Sequence, residues 1–233
     1  MLGALFFDVF GTLVDWRTSV ARESERMLAP SGYNLDWLAF ASAWRGRYQP
    51  AMEKVRSGAR GFVKLDVLHR ENLQEISVDF GLQDVAASIL DELAWTAWRR
   101  LDAWPDVSEG LQLLRGKVLI APVSNGNISL MAAIARHNVL SWDAILGAEI
   151  ARDFKPNAAV YDAACAAFDL PPERCAMVAA HTSDLVAAAS RGLKTIHVSR
   201  PDEHGPGKGE GKPLAPVDFA VGNLIELARV LPS

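Results

Sequence analysis

A short apolar run near the start of the chain, Ala4-Leu5-Phe6-Phe7, is followed directly by an acidic residue, Asp8. Such a run is typical of a strand that is buried on both faces, as in a parallel sheet. An ionised carboxylate at the end of a buried strand is unfavourable unless another group pairs with it. Ligands of open α/β sheets bind at the carboxyl ends of the strands. Position alone therefore leaves two interpretations of Asp8 open: a solvated strand terminus or an active-site group.

Segments typical of strands and helices alternate over the second half of the chain. Apolar runs typical of strands lie at residues 118–123, 175–180 and 195–198. This alternation predicts an α/β fold with a doubly wound parallel sheet and helices on both faces. Residues 16–100 show helical spacing almost throughout, which predicts a helical insertion after the first strand. We therefore expect a core domain of residues 1–14 and 101–233, and a helical cap domain of residues 15–100.

The composition limits the classes of function. The 233 residues carry 24 Lys and Arg against 28 Asp and Glu, a formal charge of −4 with no long basic run, so we expect no nucleic-acid partner. No apolar stretch approaches the length of a membrane span, and the start of the chain lacks the basic region of a signal peptide. We interpret Cys165 and Cys175 as buried small hydrophobes in a reducing compartment. The expectation is a cytoplasmic protein without a membrane partner, with a mobile loop at the Gly- and Pro-rich residues 201–213.

Four short motifs follow one another along the chain, each at a predicted strand end or in a loop. They are Asp8-Val9-Phe10-Gly11-Thr12-Leu13-Val14, Val123-Ser124-Asn125-Gly126, Phe154-Lys155-Pro156 and His181-Thr182-Ser183-Asp184. In this order they resemble the motifs of the haloacid dehalogenase superfamily, in which the first aspartate is a covalent nucleophile. The resemblance implies a Rossmann-like core of the haloacid dehalogenase type with an inserted cap.

If the strands that precede these motifs are neighbours, the motifs meet in one crevice. Asp8 needs a cation nearby to stay ionised with little water around it, and Lys155 can supply that charge. At about 4 Å and an effective dielectric constant near 20, the attraction is on the order of 4 kcal/mol before desolvation. Asp184 can hold the Lys155 ammonium from the other side. Thr12 and Ser124 can bind an oxyanion or a substrate carboxylate.

Position 10 distinguishes two kinds of chemistry within this superfamily. Its phosphatase members place a second aspartate two residues after the nucleophile, as general acid, and an acidic pair in the last motif, which holds magnesium. Here Phe10 stands in the first place, and the last motif supplies a single carboxylate, Asp184. A phenyl ring transfers no proton, and a hard cation needs several oxygen ligands. A halide leaves without a proton, so these residues favour displacement at a carbon–halogen bond.

Further residues resemble one branch of the superfamily, the type II (S)-2-haloacid dehalogenases. Trp44-Arg45 resembles their Trp-Arg pair, whose arginine faces the leaving halide, and Tyr161 follows Lys155 at the matching distance. The resemblance implies an aspartyl-ester mechanism that needs no metal or cofactor and acts on a small haloacid. It implies catalytic roles for Asp8, Lys155, Asp184, Arg45, Thr12, Asn125 and His181, and substrate binding by Val9, Phe10, Ser124 and Tyr161.

The last motif departs from the branch, because Ala179, Ala180, His181 and Ser183 stand where many members have a serine-asparagine pair and a bulky aromatic. An unperturbed histidine with a pKa of about 6.5 could activate the hydrolytic water or donate to the halide. The altered pocket leaves the preferred halide open, fluoride included. Structural roles also remain open for His181, Tyr161 and Arg45.

Two rival functions remain at this stage. One is a magnesium-dependent phosphatase of the same superfamily that acts on a small phosphoester. The other is a relative without catalytic activity that serves as a binding protein. The presence of Asp8, Lys155 and Asp184 argues against this second function. Pairing of cap helices into a homodimer is a further expectation from the resemblance.

Overall fold

A five-stranded parallel sheet forms the centre of the protein in a computed structural model that describes residues 1–231. The strand order is β4-β1-β5-β6-β7. The strands are β1 (Ala4–Phe7), β4 (Leu119–Pro122), β5 (Cys175–Ala179), β6 (Lys194–Val198) and β7 (Phe219–Val221). Because β1 has a partner on each side, Asp8 at its end lies within the carboxyl edge of the sheet.

Ten α-helices and a two-stranded ladder complete residues 1–231. The ladder pairs β2 (Val14–Asp15) with β3 (Asp102–Ala103) in antiparallel fashion. The helices are α1 (Trp16–Leu28), α2 (Trp37–Gly46), α3 (Tyr48–Arg56), α4 (Leu65–Asp79), α5 (Ala87–Ala97), α6 (Val107–Leu114), α7 (Ile128–His137), α8 (Ala158–Ala167), α9 (Thr182–Ser190) and α10 (Leu224–Val230). None of the helices in this part of the chain combines the length and the apolar character needed to cross a membrane.

Two hydrophobic clusters cover the two faces of the sheet. Successive side chains of a strand point to opposite faces, and β1 follows this rule. Leu5 and Phe7 belong to the cluster that includes α6, α7 and α10, and Ala4 and Phe6 belong to the cluster that includes α8 and α9. All four side chains are fully buried. The predicted doubly wound α/β fold is thereby confirmed, and so is the apolar character of its first strand.

Helices α1 to α5 form one helical layer between β2 and β3. The carboxylates of Asp15 and Asp36 accept hydrogen bonds from the first turns of α1 and α2, at 3.1 and 2.9 Å, as good N-cap residues do. Because β2 and β3 pair, the two ends of this layer lie side by side. This geometry supports the cap and core boundaries predicted above, and the division into domains stays a prediction.

Polar contacts hold the helical layer over the carboxyl edge of the sheet. Asp66 at the start of α4 receives a hydrogen bond of 2.9 Å from the Asn127 side chain, and both terminal nitrogens of Arg99 donate to the same carboxylate, at 2.5 and 3.0 Å. Arg56 at the end of α3 donates to the backbone carbonyl of Lys155 at 3.0 Å. The helical layer therefore covers the carboxyl edge of the sheet, where Asp8 lies.

Candidate active site

A small cavity of about 150 Å³ lies between the carboxyl edge of the sheet and the helical layer. Its walls include seven of the residues selected from the sequence: Asp8, Phe10, Arg45, Asn125, Lys155, His181 and Asp184. A larger apolar hollow of about 410 Å³ lies at the opposite edge of the sheet and contains none of them. Chemistry rather than size therefore identifies the smaller cavity as the candidate site.

Asp8, Lys155 and Asp184 form a buried row of alternating charges. The Lys155 ammonium donates to Asp8 Oδ1 at 2.9 Å and to Asp184 Oδ2 at 2.5 Å. Burial favours the neutral form of Lys155, but the two carboxylates outweigh it and raise the pKa of the ammonium. Burial likewise opposes charge on Asp8, yet Lys155 and His181 hold the pKa of this carboxyl far below its usual range. Asp8 is thus a fully ionised carboxylate in a nearly dry site.

Two hydroxyl groups fix the carboxylates of this row. Thr12 Oγ1 donates to Asp8 Oδ2 at 2.7 Å and accepts from the backbone N–H of Ala180 at 2.9 Å. Tyr161 donates to Asp184 Oδ1 at 2.5 Å from behind, and the Tyr161 ring is not part of the cavity wall. Burial, followed by the nearby charge of Asp184, raises the pKa of Tyr161, so its hydroxyl stays protonated. Tyr161 therefore orients the carboxylate of Asp184 in this structure. The predicted contact of Tyr161 with the substrate would require its side chain to line the cavity, which it does not.

His181 joins Asp8 to a further buried carboxylate, that of Glu203, which was not predicted from the sequence. The ring Nδ1 lies 3.0 Å from Asp8 Oδ2, and Nε2 lies 2.9 Å from Glu203 Oε2. The other oxygen of Glu203 accepts from the Trp16 indole at 3.0 Å, and Glu203 is only 2% exposed. Burial opposes a charge on His181, but hydrogen bonds and attraction from Asp8 and Glu203 prevail and raise its pKa to about 10.

Gly11 in the first motif provides the room that Glu203 occupies. Its φ of +86° is a conformation that L side chains rarely adopt. A Cβ built on Gly11 would also collide with the Glu203 carboxylate. Two independent constraints therefore require glycine here, one from the turn and one from the approach of Glu203.

The segment that carries Glu203 is anchored to the first motif. Arg200 donates to the backbone carbonyl of Thr12 at 2.8 Å and to Asp106 at 2.8 Å. Glu210 accepts from the backbone N–H of Thr182 at 3.0 Å. The sequence predicts a mobile loop for residues 201–213 because the segment is rich in glycine and proline. The structure instead packs part of it against the site, and no periodic pattern in the sequence signals this.

Arg45 brings a cation to the cavity from α2. Its guanidinium carbon lies 3.8 Å from the centroid of the Tyr48 ring and 5.3 Å from that of Phe10, within the range of cation–π attraction. Among the residues described, the terminal nitrogen Nη1 of Arg45 is buried without a hydrogen-bond partner. A buried donor of this kind is unfavourable unless a ligand satisfies it. The cavity thus presents an open donor for an anion.

Three other predicted residues are placed differently. The Asn125 side chain lines the cavity, and its Oδ1 accepts from the backbone N–H of Lys155 at 2.7 Å. Ser124 lies behind the wall and accepts from the backbone N–H of Gly126 at 3.0 Å. Val9 packs in the core around a hollow of about 10 Å³. The side chains of Ser124 and Val9 therefore do not reach the cavity, which leaves only their backbone for the predicted substrate binding.

Four further residues line the cavity without having been selected from the sequence: Tyr48, Gln49, Pro156 and Ser183. Pro156 belongs to the motif around Lys155, and Tyr48 is the first residue of α3. In residues 1–231, no group of three or more His, Cys, Asp or Glu side chains is arranged to hold a metal ion.

The free energy of unfolding should decrease as the pH rises from neutral to alkaline, because His181 then loses its proton. Its pKa rises from 6.5 in the unfolded chain to about 10 in the folded one. The stabilisation is therefore complete below pH 6.5 and is lost as the pH approaches 10. We expect the difference in free energy of unfolding between the parent and His181→Asn to shrink over this interval, measured by urea denaturation. Parallel stability curves would contradict the assignment of a charged His181.

Comparison with known proteins gives consistent matches over the whole chain. A family model described as haloacid dehalogenase-like hydrolase matches residues 2–192. The (S)-2-haloacid dehalogenase 4A of Burkholderia cepacia is 27% identical over 237 residues, covering 99% of this chain and 95% of that protein. The crystal structure of the defluorinating L-2-haloacid dehalogenase Rha0230 is 40% identical, with a TM-score of 0.96, and the match covers 99% of this chain and 95% of that one. The L-2-haloacid dehalogenase PA0810 is 38% identical, with a TM-score of 0.93 and 98% of each chain covered.

Proposed function

Because this chain belongs to the haloacid dehalogenase-like hydrolases, we propose that it hydrolyses (S)-2-haloacids to (R)-2-hydroxy acids and halide. The observation that carries this proposal is the pairing of an ionised Asp8 with an unsatisfied Arg45 donor across a cavity of about 150 Å³. A nucleophile and an anion site face each other there, with room for a molecule of a few heavy atoms. The names of the relatives support the same substrate class.

The first step is a displacement at carbon. A carboxylate oxygen of Asp8 attacks the α-carbon of the haloacid opposite the halogen, the carbon–halogen bond breaks, and the halide leaves with the electron pair. This in-line attack inverts the configuration and leaves an ester on Asp8. Arg45 and Asn125 receive the halide. Lys155, held by Asp184, keeps Asp8 ionised until the attack.

The second step is hydrolysis of that ester. Water attacks the carbonyl carbon of Asp8, and the bond from that carbon to the ester oxygen breaks. The hydroxy acid leaves with the ester oxygen, and Asp8 keeps the oxygen from water. The backbone amide of Phe10 and the hydroxyl of Ser183, both from residues of the cavity wall, are the groups we assign to the substrate carboxylate.

Phe10 separates this reaction from phosphoryl transfer. Its ring is buried between Tyr48 and Trp98, with centroid distances of 6.2 and 6.0 Å, and it presents no proton donor to the cavity. A phosphoester leaving group needs a proton, and the phosphoryl charge needs neutralising cations. A halide needs neither, which is why an aromatic wall is compatible with dehalogenation.

Fluoride belongs within the proposed range of leaving groups. The cavity is small, and its wall includes Arg45 with the open donor Nη1. A compact, strongly hydrated anion gains most from short contacts to charged donors. The likeness to a defluorinating L-2-haloacid dehalogenase supports this extension.

The test is halide release from chloroacetate, fluoroacetate and (S)-2-chloropropionate with a metal chelator present. We expect halide from all three, and (R)-2-hydroxypropionate from the last. Absence of halide together with magnesium-dependent phosphate release from a small phosphoester would overturn the proposal in favour of a phosphatase.

Arg45→Gln should lower the rate of halide release on the order of 10² to 10³-fold, because an amide replaces the charged donor at the developing halide. Stopped-flow halide detection with chloroacetate would measure this. Arg47→Gln is the matched control, since Arg47 lies at the end of the same helix and pairs with exposed Asp79 at 3.4 Å. Equal rates for the two variants would remove Arg45 from the halide site.

Assembly into a homodimer through the helical layer is part of the proposal. Leu38, Val67 and Trp95 on α2, α4 and α5 are more than a third exposed, and they offer apolar surface. Sedimentation velocity would distinguish a dimer from a monomer.

A further inference from the structure

His181 stands between two hollows. On one side lies the cavity of about 150 Å³ that contains Asp8, and on the other lies a hollow of about 480 Å³. Both are lined in part by His181, and Glu203 lines only the outer one. The outer hollow continues past the exposed side chains of His204, Lys208 and Lys212. The hydrogen-bonded row from Asp8 through His181 to Glu203 therefore runs from the buried site to the edge of an open space.

The proposed reaction must also release a proton from the site. Conversion of a haloacid and water into a hydroxy acid and a halide releases one proton in each turnover. The attacking water loses two protons, of which only one is kept, in the hydroxyl group of the product. Asp8 returns to its ionised form, so the other proton must leave a site in which Asp8 is only 7% exposed.

We propose that His181, oriented by Glu203, is the proton-transfer group of the hydrolytic step. The inference rests on the proposed function, since it concerns the second half of that reaction. His181 touches the reacting groups and is a catalytic residue. Glu203 acts through His181 and is a positioning residue.

The charge of His181 changes with the state of Asp8. In the resting enzyme, two carboxylates face the ring, and it holds its proton. Ester formation removes the charge of Asp8, and Glu203 is then the one carboxylate bonded to the ring. The remaining groups within its field are Lys155 beside Asp8, His197 on β6 and Glu210 in the loop. Loss of the Asp8 charge favours release of the Nδ1 proton into the cavity, while Glu203 retains the proton on Nε2. His181 is then a neutral base while the ester is present.

The proton transfers then close a cycle. Neutral His181 takes a proton from the attacking water and passes it to the departing ester oxygen, which becomes the product hydroxyl. Asp8 is left as a carboxylic acid, and its proton returns to His181. The net result is one proton released per turnover, from Nδ1 of His181 into the cavity, with Asp8 ionised and His181 charged again.

Glu203 is held in the geometry that this role requires. Trp16 fixes Oε1 at 3.0 Å, which leaves Oε2 for Nε2 of His181 at 2.9 Å. A carboxylate on one ring nitrogen fixes the tautomer, so that the other nitrogen is the base when the ring is neutral. Here that nitrogen is Nδ1, the one that faces Asp8.

Glu203→Gln is the variant that tests the pair. It retains an acceptor for Trp16 and removes the negative charge from His181. Rapid-quench measurement with chloroacetate would follow halide release and, by intact mass, the ester on Asp8. We expect a rapid release of about one halide per site, followed by hydrolysis slowed on the order of 10²-fold. The ester would then accumulate on the enzyme.

Asp202→Asn is the matched control, because it makes the same chemical change one residue earlier at an exposed position. We expect it to leave both steps as in the parent. Equal slowing of both steps in Glu203→Gln would indicate a merely structural role and overturn the inference, as would unchanged hydrolysis. Absence of halide release from the parent itself would instead overturn the proposed function.

A measurement on the parent enzyme keeps the inference testable if Glu203→Gln does not fold. Single-turnover hydrolysis of the ester should be slower in heavy water, because protons move in that step. The release of halide that precedes it should show no such effect. A hydrolysis rate insensitive to heavy water would exclude proton transfer by His181 from the slow step and contradict the inference.

Discussion

Asp8→Asn is expected to reduce halide release on the order of 10⁴-fold or more, because the amide is a far weaker nucleophile than the carboxylate. The substitution preserves shape, and the amide oxygen can still accept from Lys155 or Thr12, which lie at 2.9 and 2.7 Å in the parent. The fold should therefore persist while the first chemical step fails. Halide release from chloroacetate over hours, with circular dichroism as a check on folding, would measure this.

Asp162→Asn provides the comparison for that experiment. Asp162 pairs with Arg191 at 2.9 Å on the surface of α8, outside the cavity. Its variant should retain the activity of the parent. Comparable activity in Asp8→Asn and the parent would exclude covalent catalysis by Asp8 and remove the basis of the mechanism.

Lys155→Met is expected to lower the free energy of unfolding by about 3–5 kcal/mol, in addition to abolishing activity. The substitution leaves the carboxylates of Asp8 and Asp184 buried with no ammonium between them. Burial and the nearby Asp184 then raise the pKa of Asp8 above its value in the parent, and Asp8 takes up a proton as the pH falls. The variant should consequently regain part of its stability at acidic pH, where the parent is losing the benefit of its ionised carboxylates.

Urea denaturation at several pH values would measure that crossover. Lys194→Met is the matched control, because Lys194 pairs with Asp218 at 2.9 Å while half exposed. Loss of an exposed pair changes stability by about 1 kcal/mol or less. If Lys155→Met destabilised no more than this control, the row of charges would not be the structural element described above.

The sequence was most informative about the site at the residues that follow the strands. Asp8 directly follows β1, and Lys155 and Asp184 lie in the motifs that follow β4 and β5 in the chain. Because carboxyl ends of neighbouring parallel strands meet at one edge, Asp8 and Asp184 could be expected together. Lys155 was expected to enter from a loop, and the structure places it within hydrogen-bond distance of both. The α/β fold with a helical insertion was predictable for the same reason, from alternation and helical spacing.

Other parts of the site could not be deduced in this way. Glu203 reaches Trp16 across 187 positions of sequence, in a segment whose glycines and prolines give no periodic signal. The wall of the cavity depends on the direction of single side chains, which spacing does not determine for Val9 or Ser124. Tyr161 was selected as a substrate-binding residue through the resemblance. Whether its hydroxyl faced the substrate or Asp184 depended on packing, which the interval from Lys155 does not determine.

The position of β1 in the sheet also bears on how the chain reaches its native state. β1 is synthesised first, yet its partners β4 and β5 begin 115 and 171 residues after it (119 − 4 and 175 − 4), and Arg200 completes the turn beyond Asp8 later still. Contacts between such distant residues require the closure of large loops and slow the search for the native topology. β1, an apolar strand with an acidic end, thus remains without partners for most of the time that a ribosome needs to make the chain. An apolar strand left unpaired over this interval is exposed to aggregation.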